Sequence, residues 1–174
     1  MKIFVIVGMP AAGKNIARLY ADKEGISYIA TGDIVRQEAI RRGISMSPTS
    51  MAALSDELRE PDGLGVTRRA LEEALTSDKD LVFMEGMRSW PEIELIREKS
   101  QCTVIAFVAP RNLRRERVMI RGRADDSPQA FNDRDWREIG YGAAVPIALA
   151  DAYILNTSTI DHALKELDMI VQGL

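Results

Sequence analysis

The sequence predicts a three-layer α/β/α domain built around a parallel β-sheet. Four apolar runs are continuous rather than alternating, which is typical of strands buried on both faces: residues 3–7, 81–84, 104–108 and 152–155. A shorter run at residues 27–30 predicts a fifth strand. Helical patterns lie between these runs, at residues 15–24, 34–42, 48–59, 66–76, 91–99, 112–121 and 160–171. Strands that alternate with helices indicate a parallel sheet with helices on both of its faces.

Composition narrows the function classes. The chain has 174 residues and a formal net charge of −3, so its overall charge favours neither nucleic acid nor an anionic membrane as a partner. Cys102 is the sole cysteine and His162 the sole histidine, which excludes a disulfide within the chain and argues against a Cys/His zinc site. We interpret them as a core thiol and a surface imidazole.

The first apolar run is too short for a membrane span, and we expect a cytoplasmic protein.

A glycine-rich loop follows the first predicted strand and opens the first helix. It matches the pattern of a glycine, four residues and a glycine-lysine pair, in the order Gly8, Met9, Pro10, Ala11, Ala12, Gly13, Lys14. Backbone N–H groups and the helix N-terminus can bind phosphates there, and Lys14 can reach the β- and γ-phosphates. We therefore predict that this loop, including Asn15, binds ATP.

Two residues are candidate ligands of Mg²⁺. The pattern usually ends in Ser or Thr, whose hydroxyl binds Mg²⁺, but Asn15 stands there and offers an amide oxygen instead. Glu85 follows the predicted strand 81–84, at the sheet edge that faces the phosphate loop. It could hold the metal or polarise an attacking hydroxyl, and the alternative is an exposed glutamate at a strand end.

Two short segments predict an acceptor site on the same edge of the sheet. Gly86 would let a ligand approach the backbone, and the planar guanidinium of Arg88 would donate hydrogen bonds to a phosphate group. The second strand is followed by Thr31, Gly32, Asp33 and, three residues later, Arg36. Thr31 and Asp33 also have a structural interpretation as helix N-caps.

These segments resemble those of nucleotide kinases. The run ATGDIVRQEAIRRG is similar to the acceptor-nucleotide segment of adenylate kinases, and FMEGMRS is similar to their strand-three motif, with Glu85 in place of an aspartate. The run ADAYILNTST resembles the adenine-binding loop of dephospho-coenzyme A kinases, which implies that Asn156 flanks the donor adenine. Across nearly its whole length the chain resembles an archaeal group of P-loop proteins related to both kinases. The resemblance implies a P-loop NTPase fold with strand order 2-3-1-4-5.

An arginine-rich segment follows the fourth predicted strand. By resemblance Arg117, Arg121 and Arg123 are lid arginines that offset the charge of the transferring phosphoryl group, and Arg134 and Arg137 could complete the set. The alternatives are a solvated basic helix and a weak RNA-binding patch, although no interleaved aromatic residues support the latter. We predict one domain over residues 1–174, with an acceptor-binding insertion at about 31–76 and a lid at about 117–141.

Three functional hypotheses follow. The first is an ATP- and Mg²⁺-dependent nucleoside-monophosphate kinase acting on an acceptor such as AMP, and the second is a dephospho-coenzyme A kinase. The third is a nucleotide-binding sensor with little turnover, which the absence of a hydroxyl at Asn15 favours. The sequence alone does not choose among the acceptors, and it leaves the oligomeric state open.

Overall fold

The computed structural model describes residues 1–122 and 126–173. Its strands are β1 (Lys2–Val7), β2 (Ser27–Ala30), β3 (Leu81–Glu85), β4 (Gln101–Val108) and β5 (Ala152–Leu155). The helices of the described residues are α1 (Asn15–Glu24), α2 (Thr31–Arg42), α3 (Pro48–Arg59), α4 (Gly65–Thr76), α5 (Trp90–Arg97), α6 (Arg111–Arg121), α7 (Pro128–Gly140), α8 (Ala144–Ala148) and α9 (Ile160–Gly173).

The five strands form a single parallel sheet in the order β2-β3-β1-β4-β5, as predicted. The register pairs Ile6 of β1 with Glu85 of β3 and with Ile105 of β4. The carboxyl ends of the three central strands therefore meet at one edge, which is where ligands bind in open parallel sheets.

Side chains of β1 alternate between two apolar layers. Ile3 and Val5 belong to a core cluster that includes buried residues of α2, α3, α4 and α5. Phe4 and Ile6 belong to a second cluster, formed with buried residues of α1 and α9. Because both faces of the central strands are covered, their sequences are apolar at successive positions, which is the signal that identified them.

The structure differs from the predicted elements in two places. Helices α7 and α8 lie between residues 121 and 160, where no helix was predicted. Helix α7 starts because the Ser127 hydroxyl accepts a hydrogen bond from the N–H of Ala130 and Pro128 occupies the first turn. Helix α2 starts at Thr31 with Ala30 as its N-cap, so the interpretation of Thr31 or Asp33 as an N-cap was wrong.

Candidate active site

The phosphate loop connects β1 to α1 and needs glycine at two positions. Gly8 has a φ of +151°, and a Cβ atom there would lie 2.5 Å from the carbonyl oxygen of Phe107. Gly13 has a φ of +108°, and a Cβ atom would lie 2.0 Å from the amide nitrogen of Asn156. Only glycine fits both the backbone conformation and the space, so the motif residues are required by the local structure.

Every carbonyl oxygen from Gly8 to Ala12 accepts a hydrogen bond. The Lys14 ammonium donates to the carbonyls of Gly8 (2.8 Å) and Met9 (3.4 Å). The next three carbonyls accept from Arg114 (Pro10, 3.0 Å), Arg117 (Ala11, 3.3 Å) and the side-chain amide of Asn156 (Ala12, 2.9 Å).

The loop carbonyls are thus held by side chains of α6 and by the residue after β5. Among the described contacts, the N–H groups of Gly13, Lys14 and Asn15 have no protein acceptor. These three N–H groups lie where α1 begins and are free to donate to an anion.

Lys14 and Glu85 face each other across the sheet edge. Their ammonium and carboxylate groups are 3.9 Å apart, and both side chains are about one quarter exposed or less. Burial lowers the pKa of Lys14, and the Glu85 carboxylate acts in the opposite direction. Burial, with the negative charge of Glu85, also raises the pKa of the Tyr28 hydroxyl. Tyr28 therefore stays protonated near neutral pH.

A cavity of about 660 Å³ opens beside the loop and α1. Its lining includes the predicted donor-site residues Ala11, Gly13, Lys14, Asn15, Glu85, Arg117, Arg121 and Asn156. The Asn156 side chain is bonded to the loop rather than free in the cavity, while its carbonyl accepts from Arg117 at 2.8 Å. Arg121 pairs with Asp126. The third predicted lid arginine, Arg123, lies outside the described residues.

A second cavity, of about 170 Å³, contains most of the predicted acceptor residues. Thr31, Gly32, Arg36, Gly86 and Arg88 all line it. At Gly86 the φ is +107°, and a Cβ atom would lie 2.0 Å from the Thr31 hydroxyl oxygen, so the start of α2 and the residue after β3 approach closely there.

Three of the predicted acceptor residues, Asp33, Arg36 and Arg88, are engaged in ion pairs. Asp33 binds both Arg36 and Arg18, with 2.7 Å to the latter. Burial raises the pKa of Asp33, but the hydrogen bonds from Arg18 and Arg36 outweigh burial and hold the pKa below its usual value. Arg88 donates from Nε to Glu138 of α7 at 2.7 Å. Asp33 therefore positions Arg36 and does not line the cavity itself.

A third cavity, of about 200 Å³, lies between the other two. It shares Lys14 and Glu85 with the 660 Å³ cavity, and it shares Gly86 and Arg88 with the 170 Å³ cavity. We call these spaces the donor cavity, the acceptor cavity and the connecting cavity. The phosphate groups of one ligand in the donor cavity and of another in the acceptor cavity would meet between Lys14 and Arg88.

Sequence reasoning missed several residues that build the site. Arg114 holds the carbonyl of Pro10 and forms a buried, bidentate ion pair with Asp135 at 2.7 and 2.8 Å. A detectable signal existed: Arg114 lies four residues before Val118, on the buried face of α6. The other missed residues are Arg18, Tyr28, Arg59 and Glu138, and no local motif marks them.

The fold and the phosphate loop define a P-loop protein with a nucleotide-kinase-like fold. The model of the AAA domain family matches residues 7–132. UPF0200 proteins of Methanocaldococcus jannaschii and Thermococcus sibiricus are both 35% identical to the chain; the alignments cover 99% of the chain and 90% and 95% of those proteins, respectively. The chain therefore belongs to the UPF0200 family, an archaeal group of P-loop kinase-like proteins.

Solved structures of kinases share this fold. Shikimate kinase from Bacteroides thetaiotaomicron superposes with a TM-score of 0.65 at 15% identity, over 99% of this chain and 98% of that one. Shikimate kinase from Acinetobacter baumannii, in complex with shikimate, gives 0.59 at 19% identity, over 99% and 93%. Identities this low establish the fold alone. Within the described residues, no helix has the length and apolar character needed to cross a bilayer.

Proposed function

We propose that the protein transfers the γ-phosphoryl group of ATP to a nucleotide-like acceptor, with AMP as the first candidate. The observation that carries this proposal is the chain of three cavities, in which Lys14 and Glu85 are shared on the donor side and Gly86 and Arg88 on the acceptor side. Phosphoryl transfer depends mainly on positioning and charge stabilisation, and a connected donor and acceptor space supplies both.

On the donor side, the free N–H groups at the start of α1 bind the ATP phosphates. The Lys14 ammonium neutralises the β- and γ-phosphates, for which it must exchange its contacts with the Gly8 and Met9 carbonyls. Arg117 and Arg121 line the same cavity and add positive charge near the transferring group. We extend the lid role to Arg123 on the family resemblance alone.

The residues available for Mg²⁺ fit its chemistry. Asn15 and Glu85 both line the donor cavity and offer oxygen ligands, and Mg²⁺ typically takes one or two carboxylates together with nucleotide phosphates and water. When bound, the ion would neutralise phosphate charge between the β- and γ-groups. Asn15 is exposed at the start of α1, so its amide can reach a metal directly or through water.

On the acceptor side, Arg36 and Arg88 orient the acceptor phosphate. Their planar guanidinium groups are suited to bidentate binding of phosphate. Glu85, at the end of β3, lines the connecting cavity together with Arg88. It can accept a proton from an attacking hydroxyl or orient a phosphate oxygen. Gly86 lines both the acceptor cavity and the connecting cavity, where its backbone can contact the acceptor.

Two other functions keep specific support. Dephospho-coenzyme A is the second acceptor to test, because the segment around Asn156 resembles the adenine-binding loop of its kinases. A nucleotide sensor with little turnover is favoured by Asn15, which replaces the hydroxyl that usually binds the metal. Both alternatives use the same donor cavity.

A coupled ATP-consumption assay over nucleoside monophosphates and dephospho-coenzyme A tests the proposal. We expect turnover that depends on AMP or another tested acceptor and on Mg²⁺. Lys14→Ala should lose ATP binding measured by calorimetry, whereas the exposed control Lys79→Ala should bind ATP as wild type does. ATP binding without acceptor-dependent turnover would favour the sensor, and unaltered ATP affinity in folded Lys14→Ala would refute the donor site.

A further inference from the structure

The acceptor cavity is lined by a third arginine, Arg59, at the end of α3. It belongs to neither of the segments that predicted the acceptor site, and it is brought there by the packing of α3 against α2 and α4. Arg36, Arg59 and Arg88 thus converge on one space of about 170 Å³. Three guanidinium groups around so small a cavity favour an anionic ligand.

Arg59 differs from the other two arginines in its charge balance. Asp33 pairs with Arg36, and Glu138 pairs with Arg88 at 2.7 Å. Among the described residues, Arg59 has no carboxylate within ion-pairing distance. Within residues 1–122 and 126–173, Arg59 is therefore the arginine of this cavity whose positive charge no ion pair neutralises.

The Arg59 guanidinium is oriented by an aromatic ring. Its Nε atom is buried and has no acceptor among the described residues. The group lies over the ring of Tyr141, 4.5 Å from the ring centroid, and Arg88 lies 5.7 Å from the same centroid. A buried donor without a partner is unfavourable, whereas stacking on an aromatic face orients the guanidinium. An incoming oxyanion would supply the missing acceptor.

A nearby carboxylate does not replace such a ligand. Glu92 also lines the cavity, but its Oε1 accepts from the Thr67 hydroxyl at 2.6 Å. Its Oε2 accepts from the N–H groups of Arg88 (2.7 Å) and Ser89 (2.8 Å) and from the Ser89 hydroxyl (3.0 Å). Both oxygens of Glu92 are thus already engaged, Oε1 with α4 and Oε2 with the residues that precede α5.

We propose that Arg59 is a third acceptor-binding residue and that it binds the phosphate monoester of the acceptor. Arg59 contributes a positive charge that no described carboxylate neutralises. The guanidinium groups of Arg36 and Arg88 are each already paired with a carboxylate. Loss of Arg59 therefore weakens acceptor binding more than loss of Arg36. This inference rests on the proposed function for the identity of the acceptor cavity.

The test is calorimetric titration of AMP, ribose 5-phosphate and adenosine into protein saturated with Mg²⁺ and a non-hydrolysable ATP analogue, which keeps the probes out of the donor cavity and cannot transfer its phosphoryl group to them. Wild type should bind the two phosphate esters and not adenosine. Arg59→Ala should weaken AMP binding roughly 10- to 100-fold, as expected for lost hydrogen bonds to a charged group. Arg59→Lys should recover part of the loss, because lysine keeps the charge but not the planar fork.

Arg69→Ala is the matched control, since Arg69 is exposed on α4 and lines none of the three cavities. It should bind AMP as wild type does, and thermal unfolding should show that every variant is folded. Unchanged AMP affinity in Arg59→Ala, a smaller loss than in Arg36→Ala, or no phosphate-ester binding by wild type would each overturn the inference. AMP binding through Arg59 without turnover would refute the proposed function alone.

Discussion

The buried ion pair between Arg114 and Asp135 links the phosphate loop to α7, and breaking it should destabilise the folded protein. Both side chains are only about 5% exposed (6% and 5%), and two hydrogen bonds of 2.7 and 2.8 Å join them. Arg114 also donates to the carbonyl of Pro10 at 3.0 Å. We predict that Asp135→Asn destabilises the protein and weakens nucleotide binding, because it leaves a buried guanidinium without its counter-charge.

The expected destabilisation follows from the burial of the pair. Removing one partner of a buried ion pair costs about 3 to 5 kcal/mol. The asparagine oxygen can still accept one hydrogen bond, so we expect the lower value, about 3 kcal/mol, or a fall in Tm of roughly 6 to 12 °C for a chain of this size. The Nε atom of Arg111 is also 3.4 Å from Asp135, so Arg111 would lose a neighbouring negative charge as well.

Thermal and urea unfolding monitored by circular dichroism measure this effect. The control is Glu57→Gln, since Glu57 is 60% exposed and its ion pair with Arg42 lies at the surface. That change should cost less than about 1 kcal/mol.

The double variant Arg114→Met/Asp135→Leu separates stability from loop position. It should regain most of the stability, because apolar side chains can replace a buried pair, but not the nucleotide affinity. A Tm for Asp135→Asn within 2 °C of wild type would refute the reasoning.

Three further predictions concern single sites. Asn15→Thr should raise kcat with little change in KM for ATP, as steady-state kinetics would show; an equal or lower kcat contradicts it. Gly86→Ala should lower the free energy of unfolding by about 1 to 3 kcal/mol, measured in urea, because of its positive φ and the nearby Thr31 hydroxyl. Burial raises the pKa of Cys102 to about 11, so iodoacetamide should label the folded protein at pH 8 far more slowly than the unfolded one, as followed by mass spectrometry.

The phosphate loop and the sheet were predictable because their signals are local or periodic. Gly8, Gly13 and Lys14 lie within seven consecutive residues, and their order after an apolar strand is sufficient to place them on the sheet edge. The strand order required the family resemblance in addition, because apolar runs alone do not specify which strands are neighbours.

The parts of the site that sequence reasoning missed depend on contacts between distant residues. Arg114 and Asp135 are 21 positions apart, and Arg88 and Glu138 are 50 apart. Arginine-rich helices are usually solvated, so nothing local distinguishes Arg114, which is buried, from Arg115, which is exposed. Arg59 reaches the acceptor cavity only through the packing of α3, which no motif encodes.

The bonded carbonyls of the phosphate loop have a thermodynamic consequence. A flexible loop would have to become ordered around the nucleotide, and the lost backbone entropy would oppose binding. Here the peptide units from Gly8 to Ala12 are already anchored through Lys14, two arginines of α6 and Asn156. Nucleotide affinity in this protein should therefore be sensitive to Arg114, which lines none of the three cavities, because its hydrogen bond to Pro10 helps to determine how much disorder the unliganded loop retains.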